Sequence, residues 1–116
     1  MGGNQNKEHD AIVASLRKKL EAVGCMTVHL RSYTWRKIGC KKYPIALGIE
    51  PGWPDVFSFR PDGKVEFYEV KTGDAVLNPE QKKRFTELTR RGFRITIIRG
   101  PQKTREVFQC KNEKKK

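Results

Sequence analysis

Three consecutive pieces constrain the fold more than any other part of the chain: Val56-Phe57-Ser58-Phe59-Arg60, the triplet Pro61-Asp62-Gly63, and Lys64-Val65-Glu66-Phe67-Tyr68-Glu69-Val70-Lys71. Aromatic and β-branched residues fill both flanks, and the triplet between them is turn chemistry, so the segment predicts a β-hairpin. Proline presets the first turn angle and glycine accepts positive φ. That suits a type I turn followed by a left-handed glycine, the three-residue loop with a bulge. In this register Arg60 faces Lys64 and, further along, Asp55 faces Glu69. Directly opposed residues hold their Cβ atoms about 4.5–5.5 Å apart. Lys71 shares the face of Glu69, and so do Phe57, Phe59, Val65 and Phe67. A two-residue turn at Asp62-Gly63 would instead set Asp55 opposite Val70 and disperse the group. Two carboxylates so close, beside an apolar layer, repel each other and resist burial. Lys71 offsets part of that charge. A divalent cation offsets the rest, and hard oxygen donors favour Mg²⁺ or Mn²⁺.

The rest of the chain supplies partners for the hairpin. Ile12, Leu16, Leu20 and Val23 recur at helical spacing and predict a first helix over 7–23, with Asn6 as N-cap and Gly24 as its stop. Residues 1–6 read as a flexible lead. Met26, Val28 and Leu30 alternate with Thr27, His29 and Arg31, which predicts a strand near 26–33. Residues 34–54 are rich in glycine and proline and read as a long functional loop. Asn78-Pro79-Glu80-Gln81 opens a second helix: Asn as N-cap, Pro in the first turn, Gln closing a capping box. Phe85 and Leu88 continue the stripe that Gln81 begins, and Gly92 ends it. Phe93 to Arg99 reads as a strand stopped by Gly100-Pro101, and Thr104 to Cys110 as a short last helix. The order predicts an α/β fold, a mixed central sheet flanked by helices, as one domain over 7–110 with a basic tail over 111–116.

Charge points to the partner. Lys and Arg number 25 against 13 Asp and Glu, a formal net charge of +12 on 116 residues. Such an excess favours a polyanion, most often nucleic acid. Arg36, Lys37, Lys41, Lys42, Trp53, Lys82 and Lys83 are the candidate contacts. No apolar run approaches the roughly 18 residues of a membrane helix, and no basic helix has a broad apolar face, so no membrane partner is expected. The chain opens without an apolar leader, and three cysteines form no disulfide framework; both predict a reducing, cytoplasmic compartment. His9 and His29 lack metal-ligand spacing and read as surface or strand residues. No Ser-His-Asp or Cys-His grouping offers a nucleophile, and no small-molecule cofactor is expected.

Gly52-Trp53-Pro54-Asp55, followed by Glu69-Val70-Lys71, resembles the PD-(D/E)XK nuclease motif. With Pro79-Glu80-Gln81 opening a helix and Gly92-Phe93-Arg94 leading into an apolar strand, the ordered set resembles the VRR-NUC (virus-type replication-repair nuclease) family. The resemblance implies a restriction-endonuclease-like core, αβββαβ, and metal-dependent hydrolysis of DNA phosphodiesters. It implies that Asp55 and Glu69 are metal-binding carboxylates and that the Val70 backbone carbonyl is a further ligand. Lys71 matches the catalytic lysine, Gln81 the glutamine of the second helix, and Glu8 the acidic residue of the first, reaching the metal through water. Glu8 also lies one helical turn before Ile12 and so continues the buried stripe, whereas Asp10 falls on the opposite side. The resemblance further implies a homodimer acting on branched DNA, such as four-way (Holliday) junctions, in phage or bacterial replication, recombination or repair. Residues 32–51 carry no family pattern. The residues themselves leave open a flap- or end-directed nuclease of the same fold, and an inactive basic nucleic-acid-binding module.

Overall fold

The computed structural model describes residues 2–31 and 33–109; Cys110 and the basic tail 111–116 lie outside the described residues. Its central hairpin joins β4 (Val56–Phe59) to β5 (Val65–Thr72) in the expected register, with Phe57 opposite Phe67 and Phe59 opposite Val65. The Arg60 N–H donates to the Lys64 carbonyl at 2.8 Å and the Gly63 N–H to the Arg60 carbonyl at 3.0 Å, with Gly63 at φ +89°. This is the type I turn with a left-handed glycine that the triplet encodes.

Around the hairpin the chain builds α1 (Gly2–Ala22), β1 (Met26–His29), β2 (Tyr33–Ile38), β3 (Lys41–Ala46), α2 (Pro79–Arg90), β6 (Arg94–Gly100) and β7 (Thr104–Val107). The main sheet runs β1-β4-β5-β6-β7, and β2 and β3 pair separately as a two-stranded ribbon. Among the described strands only β5 and β6 pair in parallel, linked by α2 as the crossover; the other neighbours are antiparallel. On one side Ile12, Val13 and Leu16 of α1 pack on Val56, Tyr68, Val70 and Ile98. On the other, Phe85 and Leu88 of α2 pack on Phe67 and Ile95, with Trp53, Phe57, Leu77, Phe93 and Phe108 at the rim. Coverage on both faces buries β5 continuously from Phe67 to Val70 and β6 at Ile95, Ile97 and Ile98.

Four expectations are corrected. The first helix begins at Gly2, so Asn6 lies inside it rather than capping it, and Val23 is 70% exposed. In β1, Thr27 and His29 face α1 while Met26 and Val28 are exposed, the reverse of the apolar reading. Arg17 of α1 donates from Nε to Thr27 Oγ1 at 2.9 Å, so that edge is fastened by polar contacts, and α2 lies over β6, away from it. Residues 34–54 are not a structureless loop, since most of them form the ribbon. Its turn is Gly39-Cys40, with Gly39 at φ +67° and Ile38 paired to Lys41. Glycine at the first central position is what a type II′ hairpin turn requires. Finally, Thr104–Val107 is an edge strand antiparallel to β6, not a helix. Among the described residues no helix is long and apolar enough to cross a membrane.

Candidate active site

The site forms where β4 and β5 leave the hairpin core. Asp55 immediately precedes β4, and its backbone N–H donates to Glu69 Oε1 at 3.2 Å. Its carboxylate answers across the ladder: Asp55 Oδ2 accepts the Val70 N–H at 2.8 Å. The two carboxylates are therefore apposed as the turn register requires. Lys71 lies on the same face, with Nζ donating to Gln81 Oε1 at 2.9 Å and paired to Glu69 Oε2 at 3.3 Å. Gln81 completes the group by donating from Nε2 to Glu69 Oε2 at 2.8 Å.

Gln81 also caps its own helix. Its N–H donates to Asn78 Oδ1 at 2.8 Å, and its Oε1 accepts the Asn78 N–H at 3.0 Å. The capping box satisfies two donors at the helix start. It also fixes the amide so that one end meets the lysine and the other the carboxylate.

The loop carrying Asp55 is pinned to α2. Gly52 sits at φ +96°, and a Cβ there would stand 2.6 Å from the Glu80 carbonyl oxygen. Arg84 lies over the Trp53 ring at 4.6 Å and donates to the Pro51 carbonyl at 3.3 Å. Trp53 also meets Phe57, with ring centroids 5.9 Å apart. Gly52→Ala is expected to cost roughly 2–4 kcal/mol from the positive φ and the backbone clash together. A urea midpoint unchanged from the wild type would refute that reading of the loop.

Glu69 is 2% exposed. Burial, reinforced by the Asp55 carboxylate, pushes its carboxyl up to about 7 against the opposing pull of Lys71 and Gln81. The cluster is thus short of positive charge at the two carboxylates. Its donors are oxygens. Mg²⁺ is usually held by one or two carboxylates, waters and substrate phosphate rather than by a full protein cage. Asp55, Glu69 and a backbone carbonyl fit that pattern. Among the described residues no group of three or more His, Cys, Asp and Glu side chains is placed to hold a metal ion.

The first helix contributes differently from the expectation. His9, read from the sequence as a surface residue, touches Asp55: Nε2 donates to Oδ2 at 3.0 Å. Its Nδ1 lies 3.5 Å from Asp10 Oδ1, so both ring nitrogens face carboxylates. The hydrogen bond to Asp55 raises the His9 pKa despite partial burial. Glu8 is half-buried against the end of β6, its Oε2 3.5 Å from where a Gly100 Cβ would stand, and among the described residues it makes no hydrogen bond or ion pair with Asp55, Glu69 or Lys71. A pKa above the ordinary 6.5 means the His9–Asp55 pair contributes fully below that pH and fades as pH rises through the folded value. His9→Gln is expected to lower stability by about 0.5 kcal/mol at pH 6 and by less at pH 8. Equal losses at both values would remove the charged pairing.

A cleft of about 470 Å³ opens beside these residues, lined by His9, His29, Arg31, Trp53, Asp55 and Gln81 among others. Burial pushes the His29 imidazole down, with Arg31 adding to the effect. Of the basic candidates, Lys82 and Lys83 are exposed on α2, and Arg36, Lys37, Lys41 and Lys42 are exposed on the ribbon.

A mixed sheet lies between two helices, and its central hairpin brings Asp55, Glu69 and Lys71 together beside the cleft that Asp55 and Gln81 line; the family match implies a PD-(D/E)XK-type nuclease. The chain belongs to the VRR-NUC domain family, whose family model matches residues 5–102. A solved structure described as a VRR-NUC domain superposes with a TM-score of 0.59 at 20% identity, over 80% of this chain and 84% of that one. No curated protein matches the chain.

Proposed function

We propose that this protein is a metal-dependent DNA endonuclease that hydrolyses phosphodiester bonds in branched DNA, four-way junctions foremost, as a homodimer. The observation that carries the catalytic reading is the closed group of Asp55, Glu69, Lys71 and Gln81, in which a buried carboxylate is held at about 7. In this reading Asp55, Glu69 and the Val70 carbonyl hold Mg²⁺ or Mn²⁺, and Glu8 reaches it through water. The cation, when bound, neutralises charge on the phosphoryl oxygens and makes water more acidic.

The chain's own groups do the rest. The Val70 N–H and His9 fix one Asp55 oxygen, which sets the orientation of that carboxylate. Gln81 and Glu69 hold the Lys71 ammonium beside the cleft, where it would position the attacking water and stabilise developing negative charge. Nothing in the cleft resembles a helix arranged to read base edges, so selection would rest on DNA shape and on the spacing of two sites in a two-fold dimer.

The test is cleavage of labelled four-way junction, flap and linear duplex side by side, with Mg²⁺, Mn²⁺ or chelator, and sedimentation of the free protein. Metal-dependent symmetric cutting of the junction by a dimer is the expected result. Preferred cutting of flaps or ends moves the substrate to those structures. Binding without metal-dependent cutting overturns the enzyme reading, and symmetric junction cutting by a monomer overturns the dimer.

A further inference from the structure

The β2–β3 ribbon is unaccounted for by the catalytic group. Among the described residues neither of its strands packs against another helix or strand, and all of β3 is exposed. Its two roots leave the cleft rim, from Leu30 and Arg31 on one side and from the segment ending Ile49–Trp53 on the other. At its tip Lys37 pairs directly with Lys42, and Arg36 and Lys41 stand one position away on the opposite face. Like charges directly opposed across a ladder are destabilising. An isolated two-stranded hairpin is already marginal in water. This tip therefore spends stability that only an anionic partner restores.

Charge on both faces decides what that partner is. A flat contact needs cations on one face only, and a second copy would bring like charge against like. A groove between two phosphate backbones meets both faces at once. The major groove, about 12 Å wide, admits a two-stranded ribbon, whose strands lie about 4.8 Å apart. Strands of six residues at about 3.3 Å per residue give an arm of about 20 Å, long enough to reach a duplex beyond the cleft mouth.

We propose that the β2–β3 ribbon is an arm that enters the major groove of duplex DNA lying at the cleft, with Arg36, Lys37, Lys41 and Lys42 on the phosphates flanking it. The identity of the polyanion rests on the DNA-nuclease reading above; the arm's role does not require cleavage.

The experiment measures affinity for a 30-base-pair duplex against salt concentration in chelator, with guanine N7 methylation protection on the same complex. The proteins are the wild type, Arg36→Gln/Lys37→Gln/Lys41→Gln/Lys42→Gln, the pair Lys37→Gln/Lys42→Gln, and the control Lys18→Gln/Lys19→Gln on the exposed side of α1. Each lost phosphate contact lowers the salt slope by about 1. The fourfold variant is expected to lose 3–4 in slope, on the order of 100-fold in affinity at low salt, and the wild type's N7 protection. The pair is expected to lose about 2 and the control little. An unchanged slope overturns the proposal. So does a slope loss with no N7 protection in the wild type, which would put the arm outside the groove. A variant that sediments as a monomer where the wild type is a dimer makes the ribbon a subunit contact and overturns it too. Because chelator removes cleavage, a wild type that binds through the arm but never cuts with metal sinks the nuclease reading alone.

Discussion

Lys71→Met is expected to bind DNA as the wild type does and to cut it about 100- to 10,000-fold more slowly, the span for losing a group that moves or holds a proton at the reacting centre. Methionine keeps the stem of the side chain and removes the charge. In the wild type that charge is fixed from two sides, by Gln81 at 2.9 Å and Glu69 at 3.3 Å, and the side chain is only 14% exposed. A preorganised ammonium in a sheltered cleft is worth far more than one in water. Arginine is not expected to rescue, because its planar fork places donors where the ammonium had one compact point. Single-turnover cleavage with Mn²⁺ and fluorescence anisotropy on the same substrate separate cutting from binding. A rate within about threefold of the wild type would take Lys71 out of the chemistry.

The second large effect is on stability. The Glu69 carboxyl is held at about 7 in the folded chain against its ordinary 4.5. Between those values the folded protein keeps a proton that the unfolded chain has released, so metal-free stability falls as pH rises. The cost is absent below about 4.5 and fully present above about 7. A shift of this size corresponds to about 3 kcal/mol. The His9 pair fades over part of the same range and adds to the decline. Glu69→Gln is expected to shrink the stability difference between pH 5 and pH 8 by about 1–3 kcal/mol. Divalent cation is expected to stabilise the wild type at pH 8, by about 2.7 kcal/mol at 100 times its dissociation constant, and the variant much less. Urea titrations at both pH values, with Mg²⁺ or chelator, measure this. Equal pH dependence in the two proteins would show that Glu69 does not carry the strain.

What the sequence disclosed follows from where burial enforces a pattern. The β4–β5 register was legible because Pro61-Asp62-Gly63 admits few turns and the flanking strands are covered on both faces. Asp55, Glu69, Lys71 and Gln81 follow from that register and from one capping box. The ribbon was not legible, since strands that bury nothing have no apolar period. Gly39-Cys40 was its only turn signal, lost among neighbouring glycines, prolines and lysines. The edge strand β7 escaped for the same reason. His9 stands three, seven and eleven residues before Ile12, Leu16 and Leu20, so it lies on the apolar stripe itself, while Glu8 lies at the edge of that stripe. Val13 is 2% exposed, so the buried stripe is wide. A residue one turn before Val13 faces the sheet as readily as one before Ile12.

The double engagement of Gln81 has a consequence for how this sequence can drift. Most helix starts tolerate several interchangeable caps, and most site residues can be varied without touching the scaffold. Here one amide closes the first turn of α2 and steers the lysine and the glutamate. A glutamate would still close the cap but would present an acceptor to Glu69. Mutational paths that are neutral for folding elsewhere in the chain are thus closed at this corner, and a designer who wishes to retune the cleft must rebuild the helix start with it.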